Sequence, residues 1–337
     1  MLCRVADSLY WMSRYIERAE NTARMVEVNL QLLLDAERLP ETHLDSFWRP
    51  IMDSTGDITI FERLYPELNS QSVMEFLTLN RDNPSSVISC IFAARENARM
   101  IRDQISEELW EIINRLYHYL KTAGSPRIGQ SSLYELFSRI KEYSHSFVGI
   151  AESTFPHEIG YEFIKAGRFL ERADKTGRIL VSKLHALDGG ESEPEKIVQW
   201  AAVLRACSAM NTYRHRYKIE IVPAEVLRLL LCSRDFPRSM LYSLQQFQSA
   251  IHAVSGCPVT HYSNEAERRA GRLISDLSYS SVQELLARGI DKFFANAHSE
   301  LDAIGSELSQ LYMFFPVFDP ATEDEPTTGQ TQVQSKG

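Results

Sequence analysis

Apolar and small residues recur at Leu9, Met12, Ile16, Ala19, Ala23, Val26, Leu30 and Leu33, alternately three and four apart. That spacing predicts a long helix over 9–33 that buries one seam. Beside the seam runs a second stripe, Tyr10, Arg14, Glu17, Asn21 and Arg24, with Arg18 and Glu20 next to it. A stripe turned only about 100° from the core is half buried rather than fully solvated. Charged side chains in that position need partners.

The pattern continues as helices throughout. A helical stretch spans 47–65 with an interruption near Gly56, and a short apolar helix covers 72–79. The segment Asn80–Ser86 reads as a turn and helix start, with Asp82 or Asn83 as cap and Pro84 in the first turn. From Val87 the seam Val87, Ile91, Ala94, Ala98, Ile101, Ile105 and Ile112 predicts one helix as far as Leu120. Arg95, Arg99 and Arg102 flank that seam, with Glu96, Asn97 and Asp103 among them. A loop over 121–130 precedes a helix over 131–155 that Pro156 ends. Six alternating residues at 217–222 are too isolated to make a sheet.

The second half of the chain superimposes on the first in sequence. Subtracting 154 carries Phe163, Ala166, Leu170, Ala173, Gly177, Leu180, Leu184 and Leu187 onto the whole seam of the opening helix. The same shift puts Arg168, Glu171, Arg172 and Arg178 on Arg14, Glu17, Arg18 and Arg24. Trp200 falls on Trp48, Ser233–Ser239 on Asn80–Ser86, and Ser280–Leu285 on Ser131–Leu136, in the same order and with nearly the same offset. These anchors predict an all-α protein of two tandem related helical-bundle repeats of about 150 residues, packed as one body. The repeats are taken as 1–156 and 157–315, with 316–337, polar and aperiodic, as a disordered tail. The copies differ: Gln248, Ser249 and His252 stand where the first half has Arg95, Glu96 and Arg99, so a site built on that cluster belongs to the first half.

Composition changes this picture little. With 44% hydrophobic and 24% charged residues the chain has the make-up of a soluble globular protein. A net charge of −9 gives no support to nucleic-acid binding. No apolar run reaches 18 residues and charges interrupt the N-terminus, so neither a membrane span nor a signal peptide is expected, and the protein is read as cytoplasmic. Five scattered cysteines and nine dispersed histidines form no metal-ligand spacing, and neither Glu17 nor Glu96 is followed by a histidine three residues on. Neither a metal nor a cofactor is expected.

The segments Leu2–Arg24, Asn83–Ser86, Ala94–Arg99 and Arg102–Ser106, with Trp110, together resemble the bacterial alpha-E domain, and the resemblance extends to about residue 315. It departs from that pattern at Cys3 and at Asp174-Lys175. The resemblance implies an all-helical fold. It also implies a circularly permuted ATP-grasp protein and a transglutaminase-like protein as partners, and hence a role in making or processing an amide-linked or peptide-like product.

The residues themselves leave several roles open. The Arg and Glu stripes can be internal ion pairs that fix helix register in a purely structural scaffold. Alternatively, Arg14, Arg18, Arg81, Arg95, Arg99 and Arg102 line a surface for an anionic small molecule or peptide. Asn83, Ser85 and Ser86 would then add donors at a helix start, while Glu17, Glu20, Asn21, Glu96 and Asn97 orient the guanidiniums. In a third reading the chain is itself an enzyme acting on amide or peptide bonds, with Glu20 or Glu96 as general base. In either functional reading the site is expected where Glu20 and Asn21 face Arg95, Glu96 and Arg99.

Overall fold

The computed structural model describes residues 1–35, 44–123, 130–187, 193–217 and 219–313, and among them it holds α-helices and no strand. The helices are α1 (Cys3–Asp35), α2 (Leu44–Thr55), α3 (Ile58–Leu64), α4 (Ser70–Thr78), α5 (Val87–Met100), α6 (Glu107–Ala123) and α7 (Gln130–Thr154), then α8 (Ile159–Leu187), α9 (Glu193–Ala206), α10 (Met210–Arg216), α11 (Pro223–Cys232), α12 (Met240–Ser255), α13 (Glu265–Tyr279), α14 (Val282–Ala287) and α15 (Ile290–Tyr312). The tail at 316–337 lies outside the described residues, as do 124–129 of the expected loop.

The two longest helices form the centre. In α1, Leu9, Met12, Ile16, Ala19, Ala23, Val26 and Leu30 are all buried, and Leu33 is half buried. In α8, Phe163, Ala166, Leu170, Ala173 and Leu180 are buried in the same way. The pair lie against each other, with α5 packed on α1 and α12 on α8. Outside these, α7 covers α1 and α6, while α13 lies between α12 and α15. α2 packs against α8 and α9 against α1, so elements of each half reach the long helix of the other. One hydrophobic cluster accordingly runs from Val5 to Met313 through both halves.

Local chemistry sets the boundaries. Gly56, at φ 78°, takes the left-handed conformation that separates α2 from α3. Ser86 and Ser239 cap α5 and α12, each hydroxyl accepting the amide three residues on. The expected single helix over 87–120 is two helices: Ile101 leaves the helical region at φ −119°, ψ 30°, and the Ser106 hydroxyl accepts the Leu109 amide at the start of α6. The new direction lets α6 pack on both α5 and α7. Its buried face becomes Leu109, Ile113, Leu116 and Leu120, which leaves Ile112 half exposed.

Candidate functional site

The polar stripes of α1 and α8 meet face to face. At the crossing, a Cβ placed on Gly167 would lie 2.3 Å from both the Tyr10 carbonyl oxygen and the Ser13 Oγ, so the two backbones nearly touch. One turn further on, the two Glu-Arg dipeptides pair reciprocally. Arg172 donates Nε and Nη2 to the two oxygens of Glu17, both at 2.8 Å, and Arg18 donates to the two oxygens of Glu171 at 2.7 and 3.0 Å. Each pair is a planar fork meeting a planar carboxylate, the geometry that favours Arg over Lys. Arg14 adds a third bond to Glu171 at 2.9 Å and lies over the Trp11 ring at 4.7 Å.

A second rank of acids flanks the forks. Glu20 is bonded by Arg24 and, at 2.8 Å, by Arg238; Arg238 also donates to Asn21, whose amide in turn donates to Glu17. In α8 the equivalent Asp174 is held by Arg178 at 2.9 Å. The imidazoles of His145 and His298 complete the two sides, His145 lying 3.8 Å from Glu20 and His298 standing over Gly177.

Every carboxylate here is buried, and burial alone would raise its pKa. The cations reverse that. Arg18 and Arg14 hold Glu171 far below the ordinary range, Arg172 and Arg238 lower Glu17, and Arg238 with Arg24 brings Glu20 to about 2. Arg168, beside Arg172 and with its Nε unpartnered among the described residues, also has its pKa lowered, by burial and by its neighbour's positive charge, which for a guanidinium disfavours the ionised form.

These shifts predict a pH dependence. Folded-state values below the unfolded value mean that the stabilisation is complete above about pH 5 and is lost as acid protonates the carboxylates. For Glu20, with its value near 2, the loss is roughly 2 to 3 kcal/mol between pH 5 and pH 2. Urea unfolding at a series of pH values checks this, and a flat profile over that range would exclude a buried ionised network.

Several expected site residues have other roles. Glu20 and Asn21 take Arg24 and Arg238 as partners rather than facing Arg95, Glu96 and Arg99 as expected. The reason is that Arg238, just ahead of the α12 cap, reaches into the stripe from the second half of the chain. Asn83 spends both ends of its buried amide locally, donating to the Phe76 carbonyl and accepting from the Ser85 amide. Ser86 is a helix cap, and the Ser85 side chain lies beside Asp57. Asn97 donates to the Ala93 carbonyl. None of these three groups of donors is arranged around an anion.

The remaining arginines lie on a different face, along α5 and α6. Arg81 stands 4.2 Å from the Phe92 ring centre, Arg95 4.3 Å from that of Tyr117, and Arg102 5.6 Å from that of Trp110. Phe92 and Tyr117 meet edge to face at 4.5 Å. Arg95 is fixed by Asn114 at 2.9 Å and by Glu96, which also takes Arg99. Arg81 and Arg102 take no carboxylate among the described residues. Stacked guanidiniums with free N–H edges are a surface suited to a carboxylate or phosphate.

A family model described as "a predicted alpha-helical domain with a conserved ER motif" matches residues 1–313. An uncharacterized protein of Mycobacterium bovis is 23% identical over 334 residues, spanning 93% of this chain, and one of Mycobacterium tuberculosis is 22% identical over the same length. The chain spans only 37% of the length of these curated relatives. No solved structure matches. No described helix is long and apolar enough to cross a membrane.

Proposed function

The chain belongs to the Alpha-E family, and from that premise we propose that it is an accessory, non-catalytic recognition component of an ATP-grasp-associated amide or peptide ligation system. In this reading the Glu-Arg stripes are the frame, and the α5–α6 face takes the anionic group of a substrate or partner. The observation that carries it is the pair Arg81 and Arg102, held on aromatic rings with no carboxylate of their own among the described residues. The acids of the stripe argue against the enzyme reading: a carboxylate with its pKa near 2, as Glu20 has, is a weak base, and Glu96 is half exposed between two arginines.

The same reading takes 1–156 and 157–315 as two copies of one unit. It is supported by the order of elements, since α1 with α5 and α8 with α12 pack alike, and by the reciprocal forks. It also takes a circularly permuted ATP-grasp protein and a transglutaminase-like protein as partners. The relatives' greater length is consistent with further domains in those proteins. A scaffold role without any ligand is favoured by one observation alone, that the forks are wholly internal.

Calorimetric titration with pyrophosphate and with a tetraglutamate peptide tests the recognition face. The Arg81→Ala and Arg102→Ala variants are expected to bind at least one of these probes about tenfold more weakly, the worth of one charge-assisted hydrogen bond, with unchanged thermal midpoints. Unaltered binding in folded variants would move recognition elsewhere. Turnover of a peptide amide by the purified chain would overturn the accessory role.

A further inference from the structure

Away from the stripes, the end of α12 and the start of α13 bring three metal-ligating side chains together. Gly256, at φ 73°, ends α12 in the left-handed conformation and donates its N–H to the His252 carbonyl, which turns the chain so that Cys257 folds back toward His252. The Cys257 carbonyl then lies 3.0 Å from Nδ1 of the buried His252 ring. On the next helix Asn264 caps α13 and accepts the Glu267 amide, which places the Glu267 carboxylate in the same space, 4.0 Å from His252 Nδ1. One donor atom from each of His252, Cys257 and Glu267 lies within 4.8 Å of the others.

The carboxylate is arranged as if for a missing partner. Glu267 is almost completely buried, and its Oε2 accepts from the Ser263 amide at 2.6 Å and the Ser263 hydroxyl at 3.0 Å. Its Oε1 is buried with no partner among the described residues. An unpaired buried oxygen of this kind costs about 1 to 3 kcal/mol, and more when the group is charged.

We propose that His252, Cys257 and Glu267 bind one zinc-class divalent ion, with its fourth position open to the adjoining cavity. Imidazole, thiolate and carboxylate together suit a borderline-soft ion and not calcium or magnesium, which take oxygen ligands. Three protein ligands with an open fourth position is the arrangement of a site that holds water or an exchangeable ligand. Bond lengths of about 2.0 to 2.3 Å place tetrahedral donors roughly 3.3 to 3.8 Å apart, so binding draws the three together by about 1 Å. Cys257 is half exposed, and because its carbonyl accepts from Nδ1–H of His252, the ion takes either Nε2 of that ring or an Nδ1 that has given up this bond. The cavity beyond has a volume of about 300 Å³, with Gln248, His261, Tyr262 and Arg272 on its walls.

The test is calorimetric titration of the metal-stripped full chain with zinc chloride, and loading with cobalt(II) read by its thiolate charge-transfer band. One ion per chain is expected, with a cobalt band that disappears and an affinity at least about 100-fold weaker in Cys257→Ala. Because Cys257 is only half buried and its bonds to His252 and Ser255 come from its backbone, that variant is expected to keep its fold, which circular dichroism checks. Cys232→Ala, which removes an unrelated thiol, is expected to bind as the parent does. Absence of stoichiometric binding, undiminished binding in Cys257→Ala, or loss of binding in Cys232→Ala would each overturn the site.

Discussion

Glu171→Gln is expected to lower the unfolding free energy by about 3 to 5 kcal/mol, the usual cost of removing one partner from a buried ion pair. The carboxylate is fully buried, receives Arg18 through both oxygens and Arg14 through one, and has Lys175 4.0 Å away. Glutamine keeps the shape but not the charge, so three cations lose the anion that holds them between two helices. The size of the loss comes from what is left behind, since replacing a whole buried pair by apolar groups is often nearly neutral. An exposed pair such as Arg115 with Glu111 gives the contrast, and breaking it is expected to change stability by no more than about 0.5 kcal/mol. Urea unfolding at neutral pH measures both, and a loss below about 1 kcal/mol for Glu171→Gln would make the fork a bystander.

Gly167→Ala should be of similar severity although it adds a single methyl group. The new Cβ would stand 2.3 Å from the Tyr10 carbonyl oxygen, which belongs to the backbone of α1 and cannot rotate away. Relief requires the two central helices to separate, and a shift of even about 1 Å takes the guanidinium forks out of hydrogen-bonding range. A destabilisation at or above the usual 1 to 3 kcal/mol of overpacking is therefore expected, roughly 3 kcal/mol or more. Gly149 in α7 has nothing within 4 Å of its absent Cβ, so Gly149→Ala is expected to stabilise by up to about 1 kcal/mol through helix propensity. Thermal midpoints that move in opposite directions for the two glycines would bear this out, whereas equal midpoints would mean that the crossing is looser than described.

Much of this architecture is legible in the chain itself, and the exceptions have identifiable causes. The seam from Leu9 to Leu33 and its echo from Phe163 are strong because one face of each long helix is buried throughout. The break after Ile101 is silent, since Ala98, Ile101, Ile105 and Leu109 keep their three-and-four spacing across it although the backbone turns. Periodicity shows which side of a helix is covered and not what covers it. Glu171 and Arg172 are readable as counterparts of Glu17 and Arg18, but nothing local marks them as their partners, because that pairing is made by the crossing at Gly167. Arg238 escapes for a related reason: its counterpart in the first half is Ser85, and where 81–86 and 234–239 share Arg-Asp-x-Pro-x-Ser the arginines in common are Arg81 and Arg234. His252, Cys257 and Glu267 are five and ten residues apart across a helix end, a spacing that matches no familiar metal motif.

The Glu-Arg dipeptides of this family member thus gain a physical meaning as a pair of crossed forks between two helices, and the proposed recognition falls to a separate arginine and aromatic face. The most direct test is a double-mutant cycle on Arg18 and Glu171, using Arg18→Met, Glu171→Gln and the double variant, each followed by urea unfolding. The forks predict a coupling energy of about 1 to 3 kcal/mol, with the double variant more stable than the sum of the two losses implies. Strictly additive losses would contradict the clamp.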